Sequence, residues 1–276
     1  MLKIHLFALA LAGVCLTSTS SAGIFADAVE SYTPGVGYAT EYSAPHLGYT
    51  NAAAALGQPN RDTAFGAVTP FNPPFSRDEI VSLGTNGALT VSFLTPIQNN
   101  PANPFGLDFI IYGSAGFVDV DYPNGQTDGL SSMFGHNPGQ TRVWVSADGG
   151  LFYQLNPLFA PTVDGLYPTD GSGTFGVPVN PALGLGDFAN KNLAEIRALY
   201  GGGAGGTGYD LSWAIDGSGQ PVSLGSISQI RVEVLTGRAE IDAFVAVVPE
   251  PGTWALLGLG AVLLWGIRRE FWRDTK

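Results

Sequence analysis

Four oxygen-bearing side chains lie close together in one glycine-containing stretch of the chain, and their chemical type suits a hard cation. They are Asp119, Asp121, Asn124 and Asp128. Carboxylate and amide oxygens on a loop are the ligands that Ca²⁺ takes in proteins. The spacing departs from an EF-hand, because Pro123 takes the fifth position and Leu130 stands where a bidentate glutamate is required. The stretch therefore predicts either a calcium site or a solvated acidic loop without a metal.

Two tryptophans are candidates for stacking against the face of a sugar ring. Trp144 belongs to a segment that alternates apolar and polar residues, and Trp213 follows a glycine-rich stretch. An indole ring has apolar faces and one polar N–H, which suits the mixed surface of a saccharide. Large aromatic residues are also well buried on average, so core packing is the alternative interpretation of both residues.

Two carboxylates fall inside apolar segments, where an unpaired charge is costly. Asp108 lies in the run LDFIIY, and Asp242 lies in the run EIDAF. Because burial of an unpaired carboxylate is unfavourable, we expect each one either to face solvent or to have a partner. Arg142, Arg231 or a bound metal could supply that partner.

The chain has few of the residue patterns that catalyse hydrolysis by the common routes. Its histidines beyond the N-terminal segment are His46 and His136, which do not form a metal-binding spacing. A G-x-S-x-G nucleophile motif does not occur in the sequence. Paired carboxylates for glycoside hydrolysis stay open, because the sequence does not give the ~5–9 Å separation that they require. We therefore expect no enzymatic activity, with a secreted hydrolase as the catalytic alternative.

Charge and composition favour a folded, acidic domain that does not bind nucleic acid. The 276-residue chain has 23 acidic and 12 basic side chains, for a formal net charge of −11. Such a surface repels a phosphate backbone. The 38 glycines and 19 prolines predict many loops, whereas 16 phenylalanines and 10 tyrosines can fill a core. The one cysteine, Cys15, lies in the N-terminal segment, so we expect no disulfide in the domain that follows.

Several short segments have the alternation or the β-rich composition of strands. They are residues 89–93, 107–112, 142–146, 151–155, 227–235 and 240–247. The pair Asp148-Gly149 between two of them predicts a hairpin. Short strands separated by turns predict an all-β fold, an antiparallel β-sandwich over residues 23–247.

One segment has the spacing of a helix, over residues 192–200. Asp187 or Asn190 is its predicted N-cap, and Gly201 is its predicted end. We expect this short helix to lie in a connection between strands of the sandwich.

The N-terminus has the three-part organisation of a secretory signal peptide. Lys3 precedes an apolar run over 6–16, and small polar residues continue to Ala22. We expect a signal helix within residues 1–22 and cleavage between Ala22 and Gly23. The apolar run is shorter than the ~20 residues of a membrane span, which disfavours an uncleaved anchor.

Residues 248–276 combine a short polar motif, an apolar run and a basic tail. The motif is Val248, Pro249, Glu250 and Pro251, the apolar run is 253–267, and the tail 268–276 begins with Arg268 and Arg269. A helix over the apolar run would be ~22 Å long, which is short for a hydrocarbon core ~30 Å thick. The positive-inside bias places the arginines in the cytoplasm. We therefore expect a single, marginal transmembrane helix with the large domain outside the cytoplasm.

This order of elements resembles the PEP-CTERM sorting signal of exported proteins in Gram-negative bacteria. In that family a membrane protease of the exosortase type cuts near the motif and releases or transfers the product. The resemblance implies that Pro249, Glu250 and Pro251 are the recognition element. It also implies an inner-membrane-anchored intermediate, a later location at the cell surface or outside the cell, and an association with exopolysaccharide.

A second resemblance concerns the domain itself. The segments 81–93, 107–113, 143–155 and 208–216 together resemble parts of bacterial cell-surface proteins, many of which carry the same tail. The hairpin over 143–155 also resembles one in galactose-binding-like jelly rolls. The resemblance implies a jelly-roll-like sandwich. We expect a non-catalytic surface or matrix protein, with a carbohydrate- or calcium-binding adhesin module as the first alternative.

Overall fold

The computed structural model describes residues 23–135, 139–163 and 167–249, and these residues form an antiparallel β-structure with one α-helix. In chain order the strands are β1 (Ala28–Thr33), β2 (Asp62–Thr63), β3 (Gly66–Ala67), β4 (Val81–Gly84), β5 (Ala88–Gln98), β6 (Phe109–Gly113), β7 (Gly116–Phe117), β8 (Met133–Phe134), β9 (Gln140–Ser146), β10 (Tyr153–Leu155), β11 (Thr207–Tyr209), β12 (Ala214–Ile215), β13 (Ser226–Thr236) and β14 (Arg238–Ala246). The helix α1 spans Leu193–Tyr200. The predominance of strands confirms the predicted fold class.

Two sheets contain most of the strands. The six-stranded sheet has the order β1-β5-β13-β9-β10-β12, and the four-stranded sheet has the order β11-β6-β14-β4. The strands β2 and β3 form one small ribbon, and β7 and β8 form another. Every pair between these strands is antiparallel. The arrangement fits the predicted β-sandwich, whereas its jelly-roll topology and its galactose-binding-like character stay predictions.

The main hydrophobic core joins the two sheets, and strand periodicity explains which residues enter it. In β13, Ile230, Val232 and Val234 are buried, while the intervening Arg231 and Glu233 are partly exposed. This is the period-two alternation of a strand with one face on a core. The opposite sheet contributes residues of β4, β6 and β14 to the same cluster.

The four-stranded sheet is covered on its outer face as well. Tyr112 and Ile110 of β6 pack with Val245 of β14 against Phe175 and Ala204, which belong to the long connection before β11. The predicted strand 107–112 is therefore buried on both faces over most of its length, as its continuous apolar sequence indicates. The same holds for β14, which lies between β6 and β4 in the interior of the sheet.

The helix α1 is confirmed, but its predicted N-cap is wrong. Asn192 caps the helix, because its side chain accepts a hydrogen bond from the N–H of Glu195 while the carboxylate of Glu195 accepts one from the N–H of Asn192. This reciprocal pair is a capping box. Gly201 ends the helix in the left-handed region with φ 61°, as predicted.

The hairpin predicted from the Asp148-Gly149 pair is also confirmed. Strands β9 and β10 pair through Tyr153 with Val145 and through Gln154 with Trp144. Gly149 has φ 81°, a value that favours glycine. Among the described residues no helix has the length and apolarity needed to cross a membrane. The predicted signal helix and the predicted C-terminal span both lie outside the described ranges.

Candidate functional site

The folded domain ends where the sorting motif begins. Val247 is 8 % exposed, and its N–H donates to the carbonyl oxygen of Asp108 at 2.9 Å. The N–H of Val248 donates to the carbonyl of Gly176 at 3.0 Å, while the Val248 residue is 41 % exposed. Pro249 follows at the surface. The chain therefore leaves the domain at Val248, and the described part of the motif lies on the outside of the fold.

The first described residues lie beside this exit. The N–H of Ala246 donates to the carbonyl of Ile24 at 2.7 Å, and the N–H of Ala26 donates to the carbonyl of Phe244 at 3.1 Å. The two ends of the domain are thus paired at the same end of β14. Gly23 lines a shallow cavity of about 260 Å³ together with Val248 and Pro249. The predicted cleavage junction at Gly23 is therefore close to the start of the sorting motif.

The other residues predicted for signal cleavage and sorting lie outside the described part of the chain. Ala22 on one side and Glu250, Pro251, Arg268 and Arg269 on the other lie outside the described residues. The apolar run over 253–267 and the basic tail lie outside them too.

In the acidic loop, the side chain of Asp119 binds backbone N–H groups of the same loop. Its carboxylate accepts hydrogen bonds from the N–H groups of Asp121 and Gln126, both at 2.9 Å, and of Gly125 at 3.1 Å. The side-chain amide of Asn124 donates to Asp121 at 3.2 Å. Short polar side chains that accept bonds from nearby backbone N–H groups stabilise turns in this way.

Asp128 has the same role further along the loop. It accepts hydrogen bonds from the hydroxyl of Ser132 at 2.6 Å and from the N–H groups of Ser132 and Leu130. These bonds lower the pKa of Asp128, and the bond from the Ser132 hydroxyl has the largest effect. Among the described residues no three His, Cys, Asp or Glu side chains are grouped to hold a metal. Calcium binding here stays a prediction.

The two tryptophans predicted to stack on sugars occupy different environments. Trp144 alternates with the buried Val143 and Val145, so its ring lies on the face of the six-stranded sheet away from the main core. Its indole N–H donates to Glu233 at 2.8 Å. Trp213 packs partly buried against the cores on either side of the four-stranded sheet. Sugar stacking by either residue stays a prediction.

The two carboxylates in apolar segments are buried, and the expected arginines are not their hydrogen-bond partners. Asp108 is 1 % exposed and accepts bonds from the N–H groups of Asn100 and Leu211, each at 2.9 Å, and from the side-chain amide of Asn103 at 3.0 Å. Burial raises the pKa of Asp108 despite these bonds. The carboxylate thus ties β6 to two neighbouring loops.

Asp242 is held by one residue that is distant in the sequence. Asn60 donates to it from its backbone N–H at 3.2 Å and from its side-chain amide at 2.6 Å, and the same amide reaches the carbonyl of Glu79 at 3.0 Å. Burial raises the pKa of Asp242 to about 7. The prediction of Arg142 or Arg231 as the partner of these acids is therefore wrong. Arg231 instead lies over the ring of Phe152, 4.2 Å from its centroid.

A cleft that we did not predict from the sequence lies at the opposite end of β14 from the chain exit. We name it the aromatic cleft, and it encloses about 420 Å³. Five aromatic residues line it, namely Tyr49, Phe65, Phe71, Phe75 and Phe134. The rings of Phe65 and Phe75 are stacked, with centroids 5.2 Å apart and an angle of 17° between their planes. Phe65 is 82 % exposed, so the stacked pair is open to solvent.

Polar groups lie among these rings. Glu240 on β14 accepts a hydrogen bond from the hydroxyl of Ser114, and its other oxygen lies 3.3 Å from Nε of Arg238. All three residues line the aromatic cleft. The cleft therefore combines flat apolar walls with a carboxylate, a guanidinium and a hydroxyl held in place.

Local hydrogen bonds fix the walls of the aromatic cleft. The side-chain amide of Asn72 donates to the carbonyl of Ala67 at 2.9 Å and to the hydroxyl of Thr63 at 3.1 Å, which holds the β2–β3 ribbon that carries Phe65. Glu79 accepts from the N–H of Phe75 at 2.8 Å. The sequence signal for this wall was the phenylalanine- and proline-rich run 70–75, which has neither strand nor helix periodicity.

One of the two histidines considered in the sequence lies among the described residues. His46 is exposed, and its Nδ1 lies 3.1 Å from the carbonyl of Glu41. His136 lies outside the described ranges.

Comparison with known proteins identifies the C-terminal segment. The family model for the PEP-CTERM protein-sorting motif matches residues 247–270. The search among curated proteins finds no match for the chain. The family match confirms the motif that the sequence predicts, and it implies processing by an exosortase. The chain therefore carries the sorting signal of an exported protein that is destined for the cell surface or the extracellular space.

Proposed function

We propose that the protein is a non-catalytic component of the cell surface or extracellular matrix that is processed at its C-terminus and associates with exopolysaccharide. One observation carries the proposal. The match to the sorting motif begins at residue 247, and among the described residues up to Pro249 the last backbone hydrogen bond to the fold is the one from Val248. The start of the motif thus belongs to the fold, and cleavage beyond Val248 would leave every described strand in place.

The sequence beyond the motif supports a transient membrane anchor. The apolar run over 253–267 is marginal for a span, because a helix over it would be ~22 Å long, which is less than the ~30 Å hydrocarbon core. The arginines that follow it fix its orientation by the positive-inside bias. A weakly held segment suits an intermediate that a membrane protease then releases.

The polar groups of the aromatic cleft favour binding over catalysis. Glycoside hydrolysis uses two carboxyl groups ~5–9 Å apart. Among the described residues that line the cleft, Glu240 is the one carboxylate, and it is engaged by Ser114 and Arg238. A carbohydrate-binding adhesin is the second candidate function, because the same cleft has the aromatic lining of a ligand site.

The sorting part of the proposal is tested in the producing cells with the full chain. Wild type is compared with the triple variant Pro249→Ala/Glu250→Ala/Pro251→Ala, and Asp274→Ala in the basic tail is the matched control. We expect wild type and the control to lose the tail and leave the inner-membrane fraction. The triple variant should remain there at the mass of the uncut chain. Equal processing of all three proteins, measured by mass spectrometry of each fraction, would contradict the proposal.

The matrix association is tested separately. We expect the processed protein to sediment with the extracellular matrix of cells that make exopolysaccharide. In cells that lack exopolysaccharide synthesis it should appear in the medium instead. Sedimentation that does not depend on the polysaccharide would refute this part.

A further inference from the structure

We propose that the aromatic cleft is a binding site for one ring of a neutral saccharide, with Phe65 as the stacking platform and Glu240 with Arg238 as the hydroxyl-binding pair. The proposal rests on the proposed surface function and names the part of the domain that would contact polysaccharide. It differs from the sites predicted at Trp144 and Trp213, neither of which lines this cleft.

The first support is the exposed phenylalanine. Phe65 is 82 % exposed, although an exposed ring of this size is unfavourable in water. Its contact with Phe75 leaves one flat face open beside the cleft. The C–H groups on one face of a pyranose ring form an apolar surface that matches such a platform.

The second support is the chemistry of the floor. Small-molecule sites are mostly apolar clefts of ~300–1,000 Å³ with a few fixed polar groups. Here the volume is about 420 Å³. Glu240 is nearly buried, with 11 % of its side chain exposed, and supplies acceptor oxygens, while Arg238 supplies N–H donors. Neighbouring hydroxyls of a sugar can donate to the first and accept from the second.

The charges of the site favour a ligand without charge. Glu240 and Arg238 are 3.3 Å apart, and burial followed by the charges of Glu240, Glu41 and Glu79 raises the pKa of Tyr49, which lines the cleft, so the surroundings of the cleft disfavour an anion. The protein as a whole carries −11, which repels polyanionic glycans. Among the described residues that line the cleft, no charged side chain other than Glu240 and Arg238 is present to neutralise a charged ligand. A neutral saccharide therefore fits better than a uronic acid or a phosphorylated sugar.

The position of the aromatic cleft suits this role. Arg238 and Glu240 lie at the start of β14, whereas the chain leaves the domain just after the end of that strand at Val248. A strand of nine residues spans roughly 30 Å at ~3.3 Å per residue. The aromatic cleft is therefore far from the point where the described chain leaves the domain.

The test uses the full-length chain in a zwitterionic detergent, because glycoside detergents would compete for the site. The probes are an array of neutral and acidic oligosaccharides, followed by titration calorimetry with the best neutral one. We expect Phe65→Ala to weaken binding at least tenfold. The matched control is Leu158→Ala, which removes a side chain that is 85 % exposed outside the cleft, and it should leave binding unchanged. Glu240→Gln keeps the shape of the floor and should also weaken binding.

Three results would overturn the proposal. They are no binding of any neutral glycan at millimolar concentration, binding confined to acidic glycans, or binding that Phe65→Ala does not weaken. The sorting experiment measures where the protein is located in the cell, whereas the cleft experiment measures its affinity for a saccharide. A failure of the cleft proposal is thus distinguishable from a failure of the proposed processing.

Discussion

Asp242 is a carboxyl group whose environment favours its protonated form. It is 1 % exposed on β14 and receives hydrogen bonds from the backbone and side chain of Asn60. Burial outweighs these bonds, with a smaller contribution from the charge of Glu79, and raises the pKa of Asp242 to about 7. The ordinary pKa of an aspartate in an unfolded chain is ~3.9.

This shift predicts a stability that falls as the pH rises. The folded state binds the proton more tightly than the unfolded state, so the contribution is fully present below pH ~4 and is lost as the pH rises through about 7. We expect Asp242→Asn, which has no ionisable group, to flatten the dependence of the unfolding free energy on pH in that window. Urea unfolding followed by tryptophan fluorescence at a series of pH values measures it.

The control for this prediction is Asp78→Asn, which changes an exposed aspartate. It should keep the wild-type slope between pH 4 and 7. If Asp242→Asn keeps that slope as well, the carboxyl does not titrate in the window and the explanation fails.

At the scale of single residues, the partners of buried side chains were the hardest feature to predict from the sequence. The sequence shows that Asp242 lies among apolar residues and needs a partner. The partner is Asn60, which is 182 positions away and which no local pattern connects to it. Phe65 and Phe75 were missed for a similar reason, because their ring contact forms between two irregular segments. The local periodicity of the sequence predicts neither the Asp242–Asn60 contact nor the Phe65–Phe75 contact.

At the scale of elements, the capping box of α1 gives a direct prediction. Asn192→Ala removes the acceptor for the N–H of Glu195. Loss of such a cap costs about 1 kcal/mol, so we expect the unfolding free energy to fall by about that amount. Asn192→Ser, which keeps an N-capping oxygen, should retain most of it. Chemical unfolding of the variants measures the difference, and an alanine variant as stable as wild type would show that the cap contributes nothing.

The sequence predicted the existence of the elements better than their arrangement. The alternation in β13, the Asp148-Gly149 hairpin and the helix were all identified, because each depends on neighbours in the chain. The N-cap was misplaced, although Asn192 and Glu195 have the spacing of a capping box. The central position of β14 could not be predicted, because strand order depends on pairing with β6 and β4, more than a hundred residues earlier.

At the scale of the whole molecule, the end of the folded domain predicts where a protease can cut. Backbone hydrogen bonds continue through Val248, and β14 lies inside its sheet. We expect brief digestion of the full chain with a protease of broad specificity to leave a stable fragment that ends no earlier than Val248. Mass spectrometry of the fragment gives its C-terminus. Early cleavage within 238–247 would show that this strand opens in the native state.

The terminal segments and the globular domain differed in how much the sequence revealed. The sorting motif was predicted from the order of short segments, and the family match over 247–270 confirms it. The aromatic cleft of the domain was not predicted, since it combines β14 with two small ribbons and a loop that are far apart in the chain. The predicted signal helix and membrane span remain predictions outside the described residues.

The interior position of β14 has a mechanical consequence. A pull exerted through the residues beyond Val248 acts along this strand, which has β6 on one side and β4 on the other. The hydrogen bonds of both ladders then bear the load together in shear, whereas an edge strand would open one bond at a time.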